Sequence, residues 1–185
     1  MSQGLHEDPR TDHDLIASLN HSDERAFDVL YYRYRDWVAR LAHRFTGNAD
    51  DALDVMQDTF IYLAGKFPGF ELRCAMTSFL YPVVRNLSIA ARRRTGRFTG
   101  DEAALMELTA HPAPSEAQTR ADLVAAMAAL SGFHREVVLM RFVDDMSLQE
   151  IAEALDVPLG TVKSRLHHAI EALRNDPRAQ EFFRP

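Results

Sequence analysis

Between Ser147 and Leu173 the sequence carries two helical patterns separated by residues that cannot continue a helix. Ser147 is followed three residues later by Glu150, the spacing of a capping box. Leu148, Ile151, Ala152 and Leu155 then recur at three and four, on one helical face. Asp156-Val157-Pro158 ends that run, because proline has no backbone N–H and its ring clashes with the preceding turn. Leu159-Gly160-Thr161 opens a second helix. Successive helical residues rotate by ~100°, which gathers Val162, Leu166, Ala169, Ile170 and Leu173 on one side as its core face. Thr161, Ser164, His167 and His168 fall opposite, with Lys163 and Arg165 on the two flanks. Small polar groups and imidazoles bordered by cations suit a helix lying in a major groove. Central side chains reach base edges there, and flanking cations reach phosphates. A plain helical hairpin with a solvated face is the bland alternative. The cap, the tight turn and the basic flanks together favour DNA binding over it. Adjacent residues such as His167 and His168 point ~100° apart and are poorly placed to chelate one metal ion.

The rest of the chain keeps the same period and carries almost no strand signal, so the expected class is all-α. Asp14 to Phe45 reads as two helices with a break near Asn20–Asp23. Ala26, Leu30, Tyr34, Trp37, Val38 and Leu41 form a stripe on the second. Gly47-Asn48 breaks the pattern, a helix follows from about Ala49 to Gly65, and Phe67-Pro68-Gly69 ends it. Thr77 to Arg94 reads as helical, with Pro82 expected to start the helix anew, since proline is tolerated in a first turn. The pattern fades from Gly96 to Pro114, with a helical turn expected over Asp101–Leu108. Ser115 with Gln118 then fits a capping box, and Leu123, Ala126, Met127 and Leu130 resume the stripe. Helices are expected over Phe133–Val143, Ser147–Leu155 and Leu159–Leu173. The reading is two small helical domains, 12–95 and 115–175, joined by a flexible linker over 96–114 and flanked by tails 1–11 and 176–185.

Charge limits what such a chain does alone. The formal net charge is −6, the wrong sign for tight, unaided binding to duplex DNA. Its cations are clustered instead: Arg85, Arg92, Arg93, Arg94 and Arg97 lie in one stretch. There is one cysteine, Cys74, so an intrachain disulfide is impossible and a cysteine-based zinc site would need other ligands. The N-terminal stretch is polar and carries Glu7, Asp8 and Asp12, unlike a signal peptide, and no apolar run nears the ~20 residues of a membrane span. A cytoplasmic protein away from the membrane is expected.

Two further blocks admit both a functional and a bland reading. Asp51, Asp54, Gln57 and Asp58 share one side of a helix, with Leu53, Met56, Phe60 and Leu63 expected as core opposite. That is either a docking surface for a basic partner or a solvated acidic face. Phe79, Tyr81, Arg85, Asn86, Arg92, Arg93, Arg94 and Phe98 mix aromatics with cations. Single-stranded DNA is held that way, but buried aromatics and a basic helix end give the same composition.

Leu130 to Arg174, including Val137-Val138-Leu139-Met140-Arg141-Phe142, Ser147-Leu148-Gln149-Glu150-Ile151-Ala152 and Val157 to Leu166, resembles region 4 of the extracytoplasmic-function sigma factors. Asp51 to Phe60 resembles sigma region 2.2, and Thr77 to Leu87 resembles regions 2.3 and 2.4. The resemblance implies a promoter-specificity subunit of bacterial RNA polymerase with no catalytic activity and no cofactor, serving a stress- or signal-responsive regulon. It implies that Thr161, Lys163, Ser164, Arg165, His167 and His168 face the minus-thirty-five element. Asn86, Arg85, Phe79, Arg92 and Arg93 would serve the minus-ten element, with a flipped base held against a loop at about Phe70 to Met76. Asp51, Asp54, Gln57 and Asp58 would dock on the clamp coiled coil of the polymerase β′ subunit. The β flap and an anti-sigma factor are the other implied partners. The sequence departs from the family at Leu53, where many relatives are acidic, at Phe79, where they often have Trp, and at Pro82 and His168, where they often have Arg.

Two other functions stay open on the residues alone. The helix-turn-helix permits a stand-alone regulator, which would bind a palindrome as a symmetric dimer. An enzyme is disfavoured by the lack of a phosphate loop, a nucleophile elbow and an HExxH motif. His13, His21, His43 and His134 read as ordinary surface or satisfied helix residues.

Overall fold

The structure is a computed structural model that describes residues 8–94, 114–179 and 182, with backbone alone for 114–120. The linker, its expected helical turn, the Ser115–Gln118 box, Arg97 and Phe98 therefore lie outside the described residues or side chains. Among the described residues there are eight α-helices and no strand. They are α1 (Asp12–Asn20), α2 (Glu24–Thr46), α3 (Ala49–Ala64), α4 (Met76–Arg94), α5 (Pro114–Ala129), α6 (Gly132–Phe142), α7 (Leu148–Leu155) and α8 (Leu159–Asn175). The chain divides into two compact units, 1–97 and 98–185.

In the first unit α2 is the central element, packed by α1, α3 and α4. Its stripe is buried at Ala26, Val29, Leu30, Val38, Leu41 and Ala42, while Tyr34 and Trp37 are half-buried. α1, α2 and α3 each start where a side chain replaces a missing backbone partner. Thr11 and Asp14 form a reciprocal capping box for α1, and Asp23 caps α2. Asn48 accepts from the Asp51 N–H at 2.9 Å to start α3. Gly47 ends α2 in the left-handed conformation, at φ 65°. Residues 8–11, expected as part of a tail, are tied down. Arg10 pairs with Asp8 and Asp23, and Arg33 reaches Asp12 and the carbonyls of Asp8 and Arg10. The Arg10 guanidinium holds the Asp8 carboxyl down at about 2.

Two expectations for this unit need correction. Leu53 was expected in the core with Met56, Phe60 and Leu63, but it is 49% exposed. The buried face of α3 runs through Ala52, Val55, Met56, Thr59, Phe60 and Leu63 instead, and Leu53 falls outside that arc. Pro82 does not restart a helix: α4 runs unbroken from Met76 to Arg94 with Pro82 inside it. Magnitudes explain this. A proline inside a helix costs ~3 kcal/mol. Leu80, Tyr81 and Val84 are fully buried around it, and burying such side chains is worth roughly 1.5–3 kcal/mol each. Packing on both sides of Pro82 therefore holds one continuous helix.

The second unit is built around Ala126, Met127, Leu130, Val138, Leu139, Ala169, Leu173 and Ala179. α8 packs against α6 and α7. The box predicted at Ser147 is present: the Glu150 N–H bonds to Ser147 Oγ at 3.2 Å, and the Ser147 N–H bonds to Glu150 Oε2 at 2.7 Å. α7 ends at Asp156 in the left-handed conformation, φ 51°. Arg135 donates from α6 to the carbonyls of Met127, Ala128 and Leu130, satisfying the end of α5.

Pro82→Ala should restore the donor that helical geometry aims at the Ser78 carbonyl and stabilise the chain by about 1–3 kcal/mol. Urea unfolding of the two proteins measures it. A loss of stability would mean that the proline ring contributes packing that outweighs the restored bond.

Candidate nucleic-acid interface

Val162, Ala169 and Leu173 are buried, with Leu166 and Ile170 half-buried beside them, so the core face of α8 is the one the spacing indicated. The opposite face exposes Lys163, Ser164, His167 and His168. Thr161 and Arg165 are half-buried at its edges. The N-terminal half of α8 thus presents one cation and three hydrogen-bonding side chains outward, as a groove-reading helix must.

The surroundings of that face were not legible in the sequence. The Arg165 guanidinium lies over the Phe133 ring, 4.9 Å from its centroid, which steers the cation along the α6 edge. His134, also on α6, brings its ring to 6.3 Å from that of His168. Glu171 sits 3.5 Å from His167 Nε2 and 3.6 Å from His168 Nδ1. A carboxylate at this edge repels phosphate, in contrast to Lys163 and Arg165, which border the same face. Phe133 and His134 were missed because they lie on a neighbouring helix, whereas Glu171 lies on α8 itself and its i+4 and i+3 spacing to His167 and His168 was a signal that could have found it. Only the packing of α6 against α8 brings the first two to it.

In the first unit Asn86 and Arg85 are exposed on α4, on the side away from buried Val84 and Ser88. Phe79 is half-buried in an aromatic cluster, 4.9 Å from Phe70 and stacked at 6.4 Å on Tyr62. Tyr81, which the sequence grouped with these aromatics, is fully buried beside Phe45 and belongs to the core. Arg93 and Arg94 are exposed at the end of α4. Arg92 also has a structural task, donating to the Phe45 carbonyl at 3.3 Å near the C-terminus of α2. The loop between α3 and α4 carries Phe70, Cys74 and the buried Leu72.

On α3, Asp54 and Gln57 are exposed, and Asp51 and Asp58 are half-buried. Leu53, Ile61 at 68% exposure and Tyr62 at 43% continue the same outward surface. The candidate docking face is therefore acidic and apolar together. That mixture gives a partner both long-range steering and area to bury.

The family model for sigma-70 region 2 matches residues 30–98, and that for sigma-70 region 4 matches residues 126–175. The ECF RNA polymerase sigma factor SigL of Mycobacterium tuberculosis is 35% identical over 154 residues, covering 79% of this chain and 85% of that protein. SigW of Bacillus subtilis, another ECF RNA polymerase sigma factor, is 29% identical over 177 residues, covering 88% and 95%. Among solved structures, CnrH in complex with the cytosolic domain of CnrY superposes with a TM-score of 0.63 at 25% identity, covering 87% of this chain and 93% of that one.

Lys163→Ala should weaken binding to duplex DNA on every sequence alike and flatten the salt dependence by about 0.9 in log–log slope, the share of one phosphate contact. Ser164→Ala should change which upstream sequence is preferred. Fluorescence anisotropy over a salt series on several duplexes separates the two. An unchanged slope for Lys163→Ala would place the phosphate contact elsewhere.

Proposed function

This chain belongs to the extracytoplasmic-function family of RNA polymerase sigma factors and is a sigma subunit, and from that premise we propose how its surfaces divide the work. α8 reads the minus-thirty-five element through Ser164, His167 and His168, with Thr161 at the edge and Lys163 and Arg165 on phosphates. α4 and the loop before it engage the minus-ten element as a single strand. Asn86 and Arg85 supply outward hydrogen-bonding groups, and Arg92 and Arg93 track the backbone. Phe79 supports the loop from behind within its aromatic cluster. The observation that carries this reading is the exposed row Lys163, Ser164, His167 and His168 on a helix whose opposite side is anchored by buried Val162, Ala169 and Leu173.

The acidic and apolar face of α3 docks on the clamp coiled coil of the β′ subunit, with Asp54 and Gln57 central and Asp51 and Asp58 at the margin. An apolar recess of about 570 Å³ in the second unit, lined by Leu123, Met127, Val138, Phe142, Ile170 and Phe182 among others, suits the β flap. An anti-sigma factor would compete for these surfaces, and the complex of CnrH with CnrY supports a protein partner on this fold. The net charge of −6 explains why core polymerase is needed. Docking fixes both units near their DNA, so each adds contacts without a second association cost. The chain acts in the cytoplasm through binding alone. Among the described residues no helix is long and apolar enough to cross a membrane.

Co-elution with purified bacterial core RNA polymerase on a sizing column tests the docking assignment. The wild type should co-elute, and an Asp51/Asp54/Asp58→Ala variant should not. Leu53→Ala alone should weaken the complex by about tenfold, as truncating an interface side chain worth ~1.4 kcal/mol does. Full binding by the triple variant would move the docking surface off α3.

A further inference from the structure

Asn20 is the last residue of α1, yet its side-chain amide bonds to backbone on the far side of the unit's sequence. Its Nδ2 donates to the Phe70 carbonyl at 2.9 Å. Its Oδ1 accepts from the Gly69 N–H at 2.7 Å and from the Phe70 N–H at 3.2 Å. One amide thus uses both its donor and its acceptor on two successive residues of the loop between α3 and α4. It grips that loop where the backbone is least self-determined. Gly69 stands at φ +95°, and nothing lies within 4 Å of where a Cβ would be. The far side of the gripped segment is held by rings, Phe70 lying 5.7 Å from Phe67 and 4.9 Å from Phe79.

Next to Asn20 the surface opens into a recess of about 310 Å³. One wall comes from α1, with His13, Ile16 and Asn20, and the other from the loop, with Phe70, Glu71 and Arg73. Its width is the distance between α1 and the loop, and Asn20 is the side chain that spans it. Around this recess stand the His13 imidazole and the Glu71 carboxylate, which pairs with the Arg73 guanidinium at 3.0 Å; these are groups that hydrogen-bond the edge of an unstacked nucleobase.

We infer that Asn20 is a positioning residue for base selection: it sets the placement of the Phe70–Arg73 segment and so decides which base the recess accepts. This rests on the reading that the loop serves the minus-ten single strand. Asn20 acts through the loop, and its own polar atoms are committed to loop backbone.

The test uses holoenzyme assembled from core RNA polymerase and the full chain, selecting from a pool of randomised single-stranded DNA oligonucleotides. Wild type is compared with Asn20→Ala, with Asn20→Leu, which keeps the volume and loses all three bonds, and with Asn20→Asp, which keeps the acceptor for both N–H groups. Circular dichroism and co-elution with core establish that each variant folds. The wild type should enrich a defined sequence. Asn20→Ala and Asn20→Leu should retain total affinity for the pool but lose about tenfold of the preference at one position, the scale of one good base contact. Asn20→Asp should recover part of it. A merely structural role would lower stability and affinity without confining the loss to one position. Wild-type preference in either folded variant lacking the bonds would overturn the inference, as would failure of Asn20→Asp to recover any preference. If the wild-type holoenzyme itself enriches no sequence, the minus-ten reading falls and this inference falls with it.

Discussion

Val162, Ala169 and Leu173 are almost fully buried, and so the rotation of α8 about its own axis is fixed. Everything the helix does outward depends on that lock. A rotation by one residue, ~100°, would turn Lys163 into the core and Val162 into solvent. Burying an unpaired ammonium costs far more than any base contact returns. The same logic aims the other two surfaces. Val55 and Thr59 lie under Asp54 and Gln57 on α3, and Val84 and Ser88 lie under Arg85 and Asn86 on α4. Each of these outward faces is the complement of a buried one, so what a helix exposes and what it buries follow from the same helical period.

Loops are held to the same standard by different means. The segment joining α3 and α4 has no periodic face to bury. It is positioned by Asn20, by the buried Leu72 and by the ring cluster of Phe67, Phe70 and Phe79. The turn between α7 and α8 is positioned by local backbone, with Asp156 left-handed and Pro158 preceding the first helical residue. A loop held by tertiary hydrogen bonds is adjustable by single substitutions. A turn built on local geometry is not, which suits a helix pair that must enter a groove of fixed width.

The two contact chemistries also differ in how they tolerate change. On α8, Glu171 beside His167 and His168 adds a negative charge to the face that Lys163 and Arg165 border. On α3, exposed Leu53 and Ile61 add area that charge alone would not supply. A net charge of −6 disfavours tight, unaided binding to duplex DNA.

Local patterns by themselves determined most of the helices and the outward face of α8. Ser147 with Glu150, the break at Pro158 and the period of Val162 to Leu173 are all short-range, and a cap or an amphipathic face depends on neighbours within a turn or two. Tertiary structure decided what short-range rules leave balanced. Leu53 is apolar but exposed, because the buried arc of α3 is set by where α2 and α4 lie and not by hydrophobicity alone. Pro82 is a helix breaker inside a helix, because the burial of Leu80, Tyr81 and Val84 outweighs the local cost. Asn20 on the loop, and Phe133 and His134 beside α8, are pairings across the fold that no periodicity encodes. They exist only once the chain has folded and brought distant residues within hydrogen-bond or ring-contact distance.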